Sequence, residues 1–140
     1  YYNNDPANGP IYGKLYNWFA MNDPRGLAPA GYHIPSASEW DIYASQLGSG
    51  PNFIGGKMKA TTLWVSPNTG ATNESGFTGL PGGIRNADGT FTGITTYGQW
   101  ASTEISGATI YGRSLSAFGI VLTKNFGTKQ VGVSVRCIKD

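Results

Sequence analysis

The sequence predicts an α+β domain with one clear helix, long irregular loops and a C-terminal antiparallel sheet. Three observations predict it. One helical signature stands alone near residue 37, a Gly- and Asn-rich region without periodicity follows it, and three apolar runs close the chain. At 140 residues the chain has the length of one domain. Residues 1–11 are expected to form an arm or linker and residues 12–140 the domain.

Residues 1–10, YYNNDPANGP, are polar and turn-rich. The next stretch, IYGKLYNWFAM, is dense in aromatics, and a strand covered on both faces accommodates Leu15, Tyr16, Trp18 and Phe19 more simply than a helix. Asn22, Asp23 and Pro24 stop it, and Gly31 to Pro35 reads as a short extended piece. The helix follows over 37–47. Ser36 is its N-cap, Glu39 the capping-box partner, and Trp40, Tyr43, Ala44 and Leu47 share one face, with Gly48 as the stop.

Residues 48–96 read as one long irregular region pinned by Met58, Leu63, Trp64, Phe77, Leu80, Ile84, Phe91 and Ile94. Within it, Asn86-Ala87-Asp88-Gly89 has the composition of a hairpin turn. Beyond it, residues 109–115, 117–123 and 130–138 read as strands. In the last of these, Val131, Val133, Val135 and Cys137 alternate with Gly132, Ser134 and Arg136, which predicts a half-buried strand with the first set inward.

Charged residues make up 13% of the chain, about half the usual share, and Gly, Ser, Thr and Asn fill the difference. A net charge of +2 with scattered basic residues gives no footprint for nucleic acid. No apolar run reaches the roughly 18 residues of a membrane-spanning helix, so no direct membrane insertion is expected. The chain starts at Tyr1, so it is expected to be a processed chain or part of a longer one. The lone Cys137 allows no intrachain disulfide and no cysteine metal cluster.

Several blocks recur here in a fixed order: YGKLYNWFAMNDPRGLAPAGYHIPSASEWDIYASQLG, GGKMKATTLW, NTGATNESGFTGLPGGIRNADGTF, WASTE and VSVRCIKD. Together they resemble the Fibrobacter succinogenes major paralogous domain from about Tyr12 onward. Two departures stand out: Ser49-Gly50 where Gly-Gly is usual, and Ala28-Pro29 where Cys-Pro is common. The resemblance implies a C-type lectin-like fold, related to that of the formylglycine-generating enzyme. It also implies a place on bacterial surface proteins or phage tails, and ligand binding by the C-terminal sheet and loops without chemistry or cofactor. Some members are variable proteins of diversity-generating retroelements. Residues 105–123 contain no Lys, Glu, Gln, Met or Trp, the five types that randomised AAC codons cannot yield.

Enzymatic and metal chemistry find little support in the residues. Oxidases of the related fold hold copper with two cysteines, and only Cys137 is present. His33 has no partner at catalytic spacing. Asn68 to Glu74 carries a single carboxylate, too few for a lectin-type calcium site, so no metal and no cofactor are expected. Glu104 is expected to be a hydrogen-bonded structural carboxylate.

The expected ligand-binding residues are Tyr97, Gln99, Ile105, Thr109, Tyr111, Arg113, Ser116, Phe118 and Phe126. Alternation places Tyr111 on the face of Arg113, and a guanidinium seeking water turns both outward. Ile110 then faces inward and Leu115 ends the strand at an edge. The expected partner is a cell-surface protein or a glycan, and the expected role an adhesin or receptor-binding domain. The alternative reading is a structural capping or spacer module of a larger surface protein. Oligomeric state is left open.

Overall fold

The computed structural model describes residues 1–48, 50 and 52–140, and at Phe126 the backbone alone. Its helices are α1 (Gly9–Tyr12), α2 (Trp18–Met21), α3 (Ala37–Gln46) and α4 (Gly55–Met58). Its strands are β1 (Tyr32–His33), β2 (Gly82–Arg85), β3 (Phe91–Ile94), β4 (Tyr97–Ser106), β5 (Thr109–Ser116), β6 (Thr123–Thr128) and β7 (Ile138–Lys139). Five strands form one sheet in the order β3-β2-β4-β5-β6, antiparallel except for the parallel β2–β4 pair. β1 and β7 make a separate two-stranded ribbon. The fold is α+β, as the sequence predicts. Among the described residues no helix is long and apolar enough to cross a membrane.

α3 forms where its signals lie. Ser36 Oγ accepts from the Glu39 N–H, and the Glu39 carboxylate accepts from the Ser36 N–H, so both halves of the capping box are present. Glu104 adds a third bond at this end by accepting from the Ala37 N–H, which makes it the structural carboxylate expected. The inner face of α3 buries Trp40 and Ala44 against β4 and β5. There they join Met58, Trp64, Trp100, Leu115 and Leu122 in the main core. Trp40 Nε1 donates to the Ala101 carbonyl, so this buried indole leaves no polar atom unpaired.

The α4 turn shows why glycines are needed in the GGKMK block. A Cβ on Gly55 would stand 2.7 Å from the Ile120 carbonyl oxygen, and one on Gly56 would collide with the Gly70 carbonyl. The backbone of 119–121 is drawn in by this approach, since the Gly55 N–H donates to Ile120 O. The Lys59 Nζ, fully buried, donates to the carbonyls of Thr69, Ser116 and Gly119 at 2.8, 2.9 and 2.9 Å. Burial lowers its pKa.

Three expected strands are corrected. Residues 117–123 make no strand before Thr123. The Gly119 and Ile120 carbonyls bond Lys59 and Gly55 there, which removes them from any ladder. The 12–19 stretch contributes one bridge, Tyr16↔Val133, and then turns into α2, where the Asn17 side chain accepts from the Ala20 N–H as N-cap. Phe19 is consequently exposed. Residues 130–138 form isolated bridges, Gly132 to Arg85, Val133 to Tyr16 and Ser134 to Trp100, before β7 begins. Because this segment is gripped from several sides, Gly132 and Val133 are both buried and the predicted alternation does not hold.

In the 48–96 region, Met58 and Trp64 are buried as expected, whereas Leu63 is exposed. The predicted turn at 86–89 closes the β2–β3 hairpin, with Asn86 N–H donating to Thr90 O. Residues 1–11, expected as an arm or linker, fold into short helical turns. Tyr2 is buried there, its ring centroid 5.3 Å from that of Phe91.

Candidate functional site

The β4–β5 register divides the expected ligand-binding residues between the two faces and two ends of the sheet. Directly paired residues share a face. Tyr97 pairs with Ser116, Gln99 with Ser114 and Ala101 with Gly112, and these form the face turned away from α3. Gly98 pairs with Leu115 and Trp100 with Arg113, and these form the face that α3 covers.

Arg113 is therefore corrected. It is 2% exposed, not outward. Its Nη2 donates to Asp41 Oδ1 at 2.6 Å and to the Ala37 carbonyl at 3.2 Å, and Nη1 donates to Gly112 O. Asp41 Oδ2 in turn accepts from Lys124 Nζ at 3.0 Å, so α3 is tied to β5 and β6 through one carboxylate. Both cations hold the Asp41 carboxyl below its ordinary range against the opposing effect of burial. The misreading has a physical cause. An Arg in an alternating strand is assumed to seek water, but an acidic partner on a packed helix satisfies it inside. Asp41, one turn on from Ala37, is the signal for this.

Leu115 is buried in the core, because β6 and the 117–122 segment cover what was expected to be an edge. Ile110 is buried, as expected. Tyr111 lies on the α3 face, half-buried, opposite Phe126 in the register. The Phe126 side chain lies outside the described residues.

Ile105 and Thr109 stand at the far end of the β4–β5 hairpin, past an irregularity between Ala101 and Ile105. At about 3.3 Å per residue, Ile105 is roughly 25 Å along the strand from Tyr97. The two ends cannot serve one small ligand.

One coherent surface remains at the near end. Tyr97 is 48% exposed, and with Gln99, Ile84, Thr92 and Thr96 it lines a cleft of about 390 Å³ on the β3-β2-β4 part of the sheet. Ser116 sits opposite Tyr97, and Phe118, 57% exposed, follows two residues on. The turn is fixed by Ser116 Oγ accepting from the Phe118 N–H and by the Ala117 N–H donating to Thr96 O. Val65, also exposed, joins this end through its N–H to Thr95 O. Lys59 supports it from beneath, because two of its three carbonyl partners, Ser116 and Gly119, flank Phe118.

Ile84 was read from sequence only as an apolar peg and Thr92 not at all, since the β2–β3 hairpin and the parallel β2–β4 pairing are what bring them to Tyr97. The Lys59 tether was missed as well. Two glycines immediately before a Lys-Met-Lys run were its available signal.

Other expected sites resolve simply. His33 Nδ1 lies 2.7 Å from Asp140 Oδ1, and its Nε2 lies 2.8 Å from Glu39 Oε1. The two carboxylates raise its pKa, Asp140 first. Cys137 is half-buried, and burial pushes its thiol up. In the 68–74 segment, Asn68 Nδ2 donates to Ala60 O and Glu74 pairs with Lys57 at 2.8 Å. Among the described residues no three His, Cys, Asp or Glu side chains converge as a metal-binding group.

The family model described as the Fibrobacter succinogenes major domain matches residues 1–139. No curated protein and no solved structure matches the chain.

Proposed function

The chain belongs to the Fibrobacter succinogenes major domain family, and from that premise we propose that it is a non-enzymatic ligand-binding domain of the C-type lectin-like kind. In this reading it acts as an adhesin or receptor-binding module outside the cell, on a bacterial surface protein or a phage tail. Its partner is a surface protein or a glycan.

The observation that carries the proposal is the near-end surface. An exposed Tyr97 borders a cleft with Gln99, Thr92 and Thr96, and an exposed Phe118 stands in the turn just after β5. Rigid aromatic side chains supply contact area at low entropic cost, and neighbouring amide and hydroxyl groups supply directional bonds. The backbone beneath is held by the β4–β5 ladder and by Lys59, so the surface is preorganised. Retroelement diversification, where it acts, would reach Ser116 and the exposed Phe118 at this end.

A screen of the domain against glycans and bacterial surface proteins, with calcium and with chelator, tests the proposal. Chelator-insensitive binding that Tyr97→Ala abolishes supports it. Binding that chelator abolishes moves recognition to a calcium site and counts against it.

A further inference from the structure

On the opposite side of the sheet, between α3, the loop through Phe77 and the C-terminal segment, lies a mostly apolar cleft of about 450 Å³. That volume falls in the range of small-molecule sites. Its aromatic wall is rigid. Phe77 packs edge-on to Trp40 at 5.7 Å between centroids, and Tyr43 stands 6.0 Å from Phe77. Ile42, on the outer side of α3, and Ile138 complete the apolar lining.

One cation stands at this cleft. The Arg136 guanidinium lies 4.8 Å from the Phe77 ring centroid, and its Nη2 donates to Phe77 O at 2.9 Å. Among the described residues no carboxylate pairs with it. The carboxylate that also lines the cleft, Glu39, is already engaged. One oxygen meets His33, and the other accepts from the N–H and hydroxyl of Ser36. The cleft therefore combines an apolar aromatic body with a single uncompensated guanidinium fork.

We propose that this cleft binds a small monocarboxylate with an aromatic or branched apolar body, the carboxylate pairing with Arg136 and the body packing against Tyr43, Phe77 and Ile42. The planar fork suits a carboxylate, and a lone guanidinium matches one negative charge. A dianion such as a phosphate monoester would leave a charge unmatched beside Glu39. This site is separate from the Tyr97 surface, because α3 and Tyr97 lie on opposite faces of the sheet. Its failure would leave the proposed function standing.

Titration of the domain with 3-phenylpropionate and with its neutral amide, 3-phenylpropanamide, tests the inference by calorimetry or by amide chemical shifts. Expected is saturable binding of the acid, with the amide roughly tenfold weaker. In Arg136→Gln the two should bind alike. Because Arg136 also braces the Phe77 loop, Ile42→Glu serves as a second variant. Ile42 is 57% exposed, so the fold should survive; the loss of its packing weakens both ligands, and the new charge weakens the acid further than the amide. No saturable binding of the acid up to about 10 mM overturns the proposal. So does equal affinity for acid and amide in the parent protein.

Discussion

Replacing Arg113 by methionine removes a buried guanidinium and keeps most of its aliphatic volume. The losses are the bonds to Asp41 and to the Ala37 carbonyl, which bridge α3 and β5, and the bond to the Gly112 carbonyl. Deleting one partner of a fully buried ion pair costs about 3–5 kcal/mol. The figure is smaller here, because the Asp41 side chain is 51% exposed and keeps Lys124, so it is not stranded in a dry environment. A loss of about 2–3 kcal/mol remains, chiefly from charge-assisted hydrogen bonds at roughly 1.5–3 kcal/mol each less the relief of desolvation. At about 2.1 cal/mol/K per residue, 140 residues give an unfolding entropy near 0.3 kcal/mol/K, so the melting temperature should fall by about 7–10 °C. Differential scanning calorimetry measures it. A companion Asp41→Asn variant leaves the buried Arg113 guanidinium with only neutral acceptors, so it should cost at least as much, about 2–4 kcal/mol, and the double variant should cost less than the two singles summed. A melting temperature within about 2 °C of the parent, with binding to a surface partner lost, would refute the buried tether and restore an outward Arg113.

Further predictions concern the other buried and paired groups. Lys59→Met deprives the carbonyls of Thr69, Ser116 and Gly119 of their shared donor. It should destabilise by about 3 kcal/mol after relief of ammonium desolvation, read as a urea midpoint shift, and a variant as stable as the parent contradicts the tether. His33 has a raised pKa in the folded state, so its contribution is complete below its unfolded value of about 6.5 and is lost as pH rises through the folded value. The melting-temperature difference between parent and His33→Gln should thus be larger at pH 5.5 than at pH 8.5, and a pH-independent difference contradicts the clasp. On the acid side, Glu39, held at about 2 chiefly by the Ser36 N–H, contributes above its ordinary 4.5 and loses that contribution as pH falls toward 2.

How much of this was legible in the sequence depends on the range of the signal. Local chemistry was readable. Ser36 and Glu39 marked α3, Asn86 to Gly89 marked a hairpin, and the run at 109–115 became β5 with one residue added. Non-local competition was not. Residues 117–123 have strand composition, yet their carbonyls are claimed by Lys59 and by the Gly55 N–H, groups more than 55 residues away. Arg113 illustrates the same limit at the candidate site, since its partner lies on a helix 72 residues earlier. Tyr97 was singled out as an aromatic side chain just before the expected surface, whereas β4, the strand that carries it and Gln99, was not read from the sequence. The place of Ile84 and Thr92 in the cleft was missed because no periodicity announces a parallel pairing between β2 and β4.

The central claim, recognition at the near end of the sheet, is tested most directly by comparing that end with the far one. Affinity for the surface protein or glycan found in the screen should be measured for a Tyr97→Ala/Phe118→Ser double variant and for Ile105→Ser at the hairpin tip. All three side chains are exposed, so melting temperatures should stay near the parent value. A loss of tenfold or more in the double variant, with Ile105→Ser close to the parent, is the expected result. The reverse order, with the tip variant losing binding and the double variant retaining it, would contradict the placement of the site.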